Sequence, residues 1–254
     1  MAKKQKKKSP DLLRKPWVWV VIFFIAAAVI AGIVYLSIEI LRSEDAGNTT
    51  TPTANTLSNS DYVTQPDDFD EIVLNQGLII TDMRSYSGKY MEDGSNSQIS
   101  DVMMLIVKNT NVQDIQLARI HVAYKDFTAQ FQITNLPAGG SVVLLEQNKK
   151  PLPEEKYQSI EMKDVVFFDE PMSMRPDIFS VTSVTNTITI KNITDKDITG
   201  DIYIYYKNCS SDLFYGGITY RIKVEGGLKA GESKSLPASH YHEKGSRLLM
   251  INYG

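Results

Sequence analysis

The short run His240-Tyr241-His242-Glu243 holds two of the three histidines in the chain. On a strand His240 and His242 would share a face and could share a metal, with Glu243 on the other side. A metal centre needs a third ligand, and no other His, Cys, Asp or Glu stands at a suggestive spacing. With Lys244-Gly245 following, the run reads as a polar turn before a last strand, so neither metal nor any other cofactor is expected. His121 lies in an alternating stretch at an outward position and reads as a surface histidine. The sequence has no Gly-x-Ser-x-Gly elbow, no Ser-x-x-Lys with its partner motifs, and no histidine close to the lone Cys209. Gly216-Gly217 and Gly226-Gly227 lack the lysine and following helix of a phosphate loop. The chain therefore reads as a non-enzyme.

Aromatic residues offer recognition instead of chemistry. If Ile202, Ile204 and Tyr206 face inward on one strand, Tyr203 and Tyr205 face outward. Phe214, Tyr215 and Tyr220 follow within fifteen residues. Tyrosines give amphipathic contact area at low entropy cost, so these five residues form a candidate surface for a protein partner or a glycan. The plainer alternative is that the rings cover a domain junction or sit on an ordinary strand face, which aromatic residues favour.

The elements that must position them are strands. After residue 60, apolar residues alternate or cluster in short runs separated by Gly, Pro, Asn and Asp. Strands are expected at Glu71 to Leu74, Leu78 to Arg84, Val102 to Lys108, Gln116 to Tyr124, Thr128 to Ile133, Ser141 to Leu145 and Val165 to Phe168. A second set is expected at Ile178 to Val184, Thr187 to Lys191, Asp201 to Tyr206, Gly217 to Val224, Glu232 to Leu236 and Arg247 to Tyr253. Short strands with this turn spacing predict an all-β fold of β-sandwiches.

The two sets repeat one pattern. Leu105-Ile-Val-Lys-Asn-Thr-Asn-Val-Gln-Asp-Ile115 aligns with Ile188-Thr-Ile-Lys-Asn-Ile-Thr-Asp-Lys-Asp-Ile198. Ile120-His-Val-Ala-Tyr-Lys-Asp126 aligns with Ile202-Tyr-Ile-Tyr-Tyr-Lys-Asn208, and Leu136-Pro-Ala-Gly-Gly-Ser-Val-Val-Leu144 with Leu228-Lys-Ala-Gly-Glu-Ser-Lys-Ser-Leu236. Two related domains are expected, 61–168 and 169–254, the second carrying about ten extra residues around Cys209. A strand, an Asn-containing turn, a Tyr-Lys-Asp or Tyr-Lys-Asn strand end and an Ala-Gly turn, in this order, resemble the FxLYD-type and related immunoglobulin-like repeat modules of Gram-positive surface and envelope proteins. The matching residues are Val107 to Asn109, Val122 to Asp126 and Ala138-Gly139, then Ile190 to Asn192, Ile204 to Asn208 and Ala230-Gly231-Glu232. The resemblance implies two tandem immunoglobulin-like sandwiches and no catalytic residues.

Trp17 to Ile38 is a run of 22 residues without a charge. As a helix it would span about 33 Å, enough for a hydrocarbon core of roughly 30 Å. Trp17, Trp19 and Tyr35 suit the interfacial belts. The net charge of −3 hides an asymmetry: residues 1–41 carry +5, with seven Lys/Arg against Asp11 and Glu39, and the remainder carries −8. Basic residues before the apolar run place the N-terminus in the cytoplasm and everything after Leu41 outside. The run is too long for a signal-peptide core and ends in Glu39-Ile40-Leu41-Arg42, so an uncleaved signal anchor over 17–41 is expected, behind a basic tail, 1–16. Ala28 and Gly32 have the spacing of closely approaching helices, which would make a homodimer. The lysines from Lys3 to Lys8 suit anionic lipid, and the acidic remainder excludes a nucleic-acid partner. Residues 42–60 have one large apolar side chain, Leu57, and read as a disordered spacer reaching about 25 Å. The expected protein is a membrane-anchored extracellular interaction or scaffold protein of the bacterial envelope. Its partner would be a protein bound mainly by the second domain or, alternatively, wall or surface glycan.

Overall fold

Fourteen strands and one short 3-10 turn, Asn75–Gly77, account for the regular structure of residues 69–254, which a computed structural model describes. All of them belong to one unit, Ala54–Gly254. The basic tail, the expected membrane segment and the spacer lie outside the described residues. Among the described residues no helix is long and apolar enough to cross a membrane. The fold is all-β.

Seven strands come from the first half: β1 (Ile72–Val73), β2 (Leu78–Lys89), β3 (Gln98–Asn109), β4 (Ile115–Ala123), β5 (Thr128–Leu136), β6 (Ser141–Leu145) and β7 (Ser159–Phe167). The second half supplies β8 (Phe179–Val184), β9 (Thr187–Asn192), β10 (Ile202–Ser210), β11 (Leu213–Tyr215), β12 (Tyr220–Val224), β13 (Ser233–Pro237) and β14 (Ser246–Tyr253). Each half pairs its strands in the same way. One sheet has the order β2-β3-β6 and its counterpart β8-β9-β13; the other has β5-β4-β7 and its counterpart β12-β10-β14. Every expected strand is present, Ser141–Leu145 with the expected bounds and the others with one or both ends shifted. The exception in the other direction is β11, which was not expected.

In each half the two sheets share an apolar interior. The first holds Leu78, Ile80, Met103, Leu105, Val107, Ile120, Phe131, Ile133 and Leu144. The second holds Ile188, Ile190, Ile202, Ile204, Tyr206 and Ile251. Alternation decides which side chains enter: Ile202, Ile204 and Tyr206 are buried while Tyr203 and Tyr205 are not. Val102–Leu105 and Val142–Leu145 are instead buried without alternation. Their second face is covered by Tyr86, Tyr90, Met91 and Tyr215. A continuous apolar run is what a strand buried on both faces requires.

The repeated residues form the same clasp twice. Asn109, fully buried, donates from Nδ2 to the carbonyls of Gln113 (3.0 Å) and Pro137 (3.2 Å) and accepts at Oδ1 from the Asn111 amide (3.0 Å). Its equivalent Asn192 donates to Lys196 (2.7 Å) and Lys229 (3.1 Å) and accepts from the Thr194 amide (3.0 Å). Asp114 and Asp197 each accept the amide of the turn alanine, Ala138 and Ala230, both at 2.8 Å. Gly139 and Gly231 both sit at φ +71° in those turns, a region glycine enters without penalty. One amide side chain thus ties a strand end to a turn some thirty residues away. Asn192→Ala would remove hydrogen bonds from four backbone groups, the Thr194 amide and the Lys196, Leu228 and Lys229 carbonyls, and we expect it to lower the unfolding free energy by about 2 kcal/mol in urea titrations. Asn192→Asp, the same shape, should fare no better, because its acceptor oxygens would then face carbonyls.

Candidate functional site

The structure separates the five candidate aromatics. Tyr203 and Tyr205 lie together on the outer face of β10, half-buried. The Tyr203 ring carries the Arg221 guanidinium at 4.8 Å. Phe214 has no exposed surface and enters the first half's interior. Tyr215 is 7% exposed and roofs the outer face of β3 and β6. Tyr220 stacks between Tyr206 (5.2 Å) and His240 (4.7 Å) on the inward side of β12, and burial raises its hydroxyl pKa. His240 and His242 flank buried Tyr241 in the turn between β13 and β14. Burial, followed by the neighbouring His240, lowers the His242 pKa.

Phe214 and Tyr215 are buried because the extra residues of the second half join the first half's sheet. β11 pairs in parallel with β6, Phe214 opposite Val142, and antiparallel with the end of β10, Cys209 opposite Phe214. This is the one parallel pairing among the described strands, and it makes an eight-stranded sheet across both halves. Cys209, on the same segment, is buried, and burial raises its thiol pKa.

Next to β11 the two halves meet in a polar cluster. Gly216 donates its amide to the Val143 carbonyl (2.9 Å), and the Thr134 amide and hydroxyl both donate to the Gly217 carbonyl (2.8 and 2.7 Å). A Cβ on Gly217 would lie 1.7 Å from the Gln132 carbonyl oxygen, so only glycine permits this approach. Glu92, from the loop between β2 and β3, accepts the amides of Leu145 (2.8 Å) and Gly217 (2.7 Å). Lys207 of β10 is fully buried and donates from Nζ to the carbonyls of Thr134 (3.2 Å) and Ile218. Burial pushes the Glu92 carboxyl up, against the pull of its two amide bonds and of Lys207. Burial pushes the Lys207 ammonium down, against Glu92. The repeat equivalent of Lys207 is Lys125, which is exposed.

Where the outer faces of β5 and β4 approach β10 and β12, they leave a groove of about 820 Å3. Its polar groups come from Gln116, Gln132, Asn135, Tyr205 and Arg221, and its apolar ones include Leu117, Val166 and Ile218. No Asp or Glu lines it. Asn135, with φ +46°, is 8% exposed. Of the five expected aromatics, Tyr205 alone reaches this groove. Sequence reasoning missed Glu92, Lys207 and Asn135. The available signal was Gly216-Gly217, a glycine pair without a phosphate-loop context, which marks close backbone approach.

Among the described residues no three His, Cys, Asp or Glu side chains converge as a metal site. No family model matches the chain. No curated protein matches it either.

Proposed function

We propose that the chain is a single-pass, membrane-anchored, non-enzymatic interaction or scaffold protein of a bacterial cell envelope, with two immunoglobulin-like lobes, 61–168 and 169–254, on the outer side. Residues 17–41 cross the bilayer, and a protein partner binds mainly through the second lobe. The charge split about residue 41 and the uncharged run from Trp17 to Ile38 support the anchor. One structural observation supports binding: β11 and the Glu92–Lys207 cluster join the two halves, so Tyr203, Tyr205 and the groove beside them are presented in a fixed arrangement. Preorganisation of this kind lowers the ordering cost of association. Glycan binding is the second reading, favoured by the amide groups of the groove lining.

The test is site-specific photo-crosslinking of the full-length protein in intact cells, with the photoreactive residue at position 203 or, as control, at Glu161 on β7. A truncation at Glu170 would remove Phe214 from the first half's interior, so point substitutions are the sounder comparison. We expect position 203 to capture a discrete species that position 161 does not. Identical capture from both positions would defeat the proposal.

A further inference from the structure

We propose that the groove between β5 and β12 binds a carboxylate-bearing oligosaccharide; this rests on the glycan reading above. Asn135 is the first reason. It is more than nine-tenths buried and lines the groove, yet its carboxamide bonds to no other described residue. Buried carboxamides in folded proteins ordinarily have partners, and the open side of this one is the groove. Gln116, exposed, and Tyr205, half-buried, contribute to the same lining, and neither side chain makes a hydrogen bond to the described residues. Gln132 uses its amide oxygen to accept from Arg119 Nε at 3.3 Å, and its amide nitrogen donates to no described residue.

The groove is walled by faces of the β4–β5 and β10–β12 ladders; β5 and β12 each end their sheet, so a peptide is the competing occupant, which the hexaglutamate arm of the experiment below tests. Side-chain amides, which donate and accept side by side, match vicinal hydroxyls. Tyr205, Leu117 and Val166 offer apolar surface to the C–H face of a sugar ring. The volume lies within the roughly 300–1,000 Å3 of small-ligand sites.

Charge narrows the class. The residues after Leu41 carry a net −8, but the groove has no carboxylate in its lining and one cation, Arg221. Arg221 makes no ion pair among the described residues and rests against the Tyr203 ring. A guanidinium fork suits a carboxylate bidentately, in a way a hydroxyl does not.

The experiment is calorimetric titration of the full-length protein in nanodiscs with a hyaluronan hexasaccharide, which alternates glucuronate and N-acetylglucosamine, against neutral chitohexaose and a hexaglutamate peptide. Saturable binding of the hyaluronan fragment is expected, with chitohexaose at least tenfold weaker and hexaglutamate inert. Arg221→Gln should weaken the hyaluronan fragment about tenfold or more. Asn135→Asp, which keeps the shape and tolerates the left-handed backbone, should weaken it similarly by placing a negative charge in the groove. Both variants should keep the parent melting temperature. No binding, equal binding of chitohexaose, a preference for hexaglutamate, or hyaluronan affinity unmoved by both substitutions would overturn the proposal. If the hyaluronan arm fails while crosslinking from position 203 still captures a specific species, the glycan reading falls and the protein-partner reading stands. If both fail, binding by this face is refuted.

Discussion

Phe214→Ala is expected to lower the unfolding free energy by about 3–5 kcal/mol. The ring has no exposed surface, and it fills the first half's interior although its strand follows Cys209 in the second half. Its removal leaves a cavity where β11 meets Val142, and takes away the surface against which the Arg247 guanidinium rests at 5.2 Å. With this plug gone, β11 keeps its three paired residues on β6 and the packing of Tyr215 and Leu213 on the sheet's outer face, but loses its one side chain in the first half's interior. The two halves should then melt apart, so calorimetry should show two transitions where the parent shows one. A single transition displaced by less than about 1 kcal/mol would mean that the ring does not join the halves.

That ring was also the least legible part of the sequence. Strand periodicity revealed Ile202, Ile204 and Tyr206 as inward and Tyr203 and Tyr205 as outward, because alternation is a local property of a pleated strand. The repeated Asn and Asp were legible as turn residues for the same reason, although their reach to the carbonyls of Pro137 and Lys229 was not. Leu213–Tyr215 is three residues long and pairs with a strand about seventy residues earlier. Three residues carry no period, and parallel pairing leaves no local turn signature. Lys207 was hidden by the repeat itself. Its equivalent Lys125 lies at an exposed turn, and the same Tyr-Lys pair is buried in the second copy because β10 continues to Ser210 and the first half packs against it. The groove inherits this difficulty: Gln116 and Asn135 come from one half, Tyr205 and Arg221 from the other.

Lys207→Met is the second large effect, about 3 kcal/mol of destabilisation at pH 8. The substitution keeps the volume and removes the charge, leaving the Thr134 and Ile218 carbonyls without their Nζ donor and Glu92 without its counter-charge. The dependence on pH follows from the two shifts. A raised Glu92 stabilises the fold fully below its ordinary value of 4.5, and that contribution is lost as pH rises through the raised value. A lowered Lys207 contributes fully above 10.5, and that is lost as pH falls through the lowered value. The parent junction is therefore least stable around neutrality. In Lys207→Met an unpaired carboxylate exists only once Glu92 ionises, so the deficit against the parent should shrink clearly at pH 5. Glu92→Gln combined with Lys207→Met should recover much of the loss at pH 8, because no buried charge is then left alone. Urea titrations at the two pH values check this, and an equal deficit at both would refute a role for the Glu92 charge.

The docking of β11 onto β6 also bears on the order in which the chain can finish folding. Without β11, Ser141–Leu145 is an outer strand with Val142 to Leu145 available to any passing edge, the arrangement that favours intermolecular pairing. A chain made from its N-terminus completes β6 about seventy residues before its neighbour exists, and such delayed long-range pairing is slow. During that interval the unfinished β6 edge of one chain is open to pairing with that of another copy.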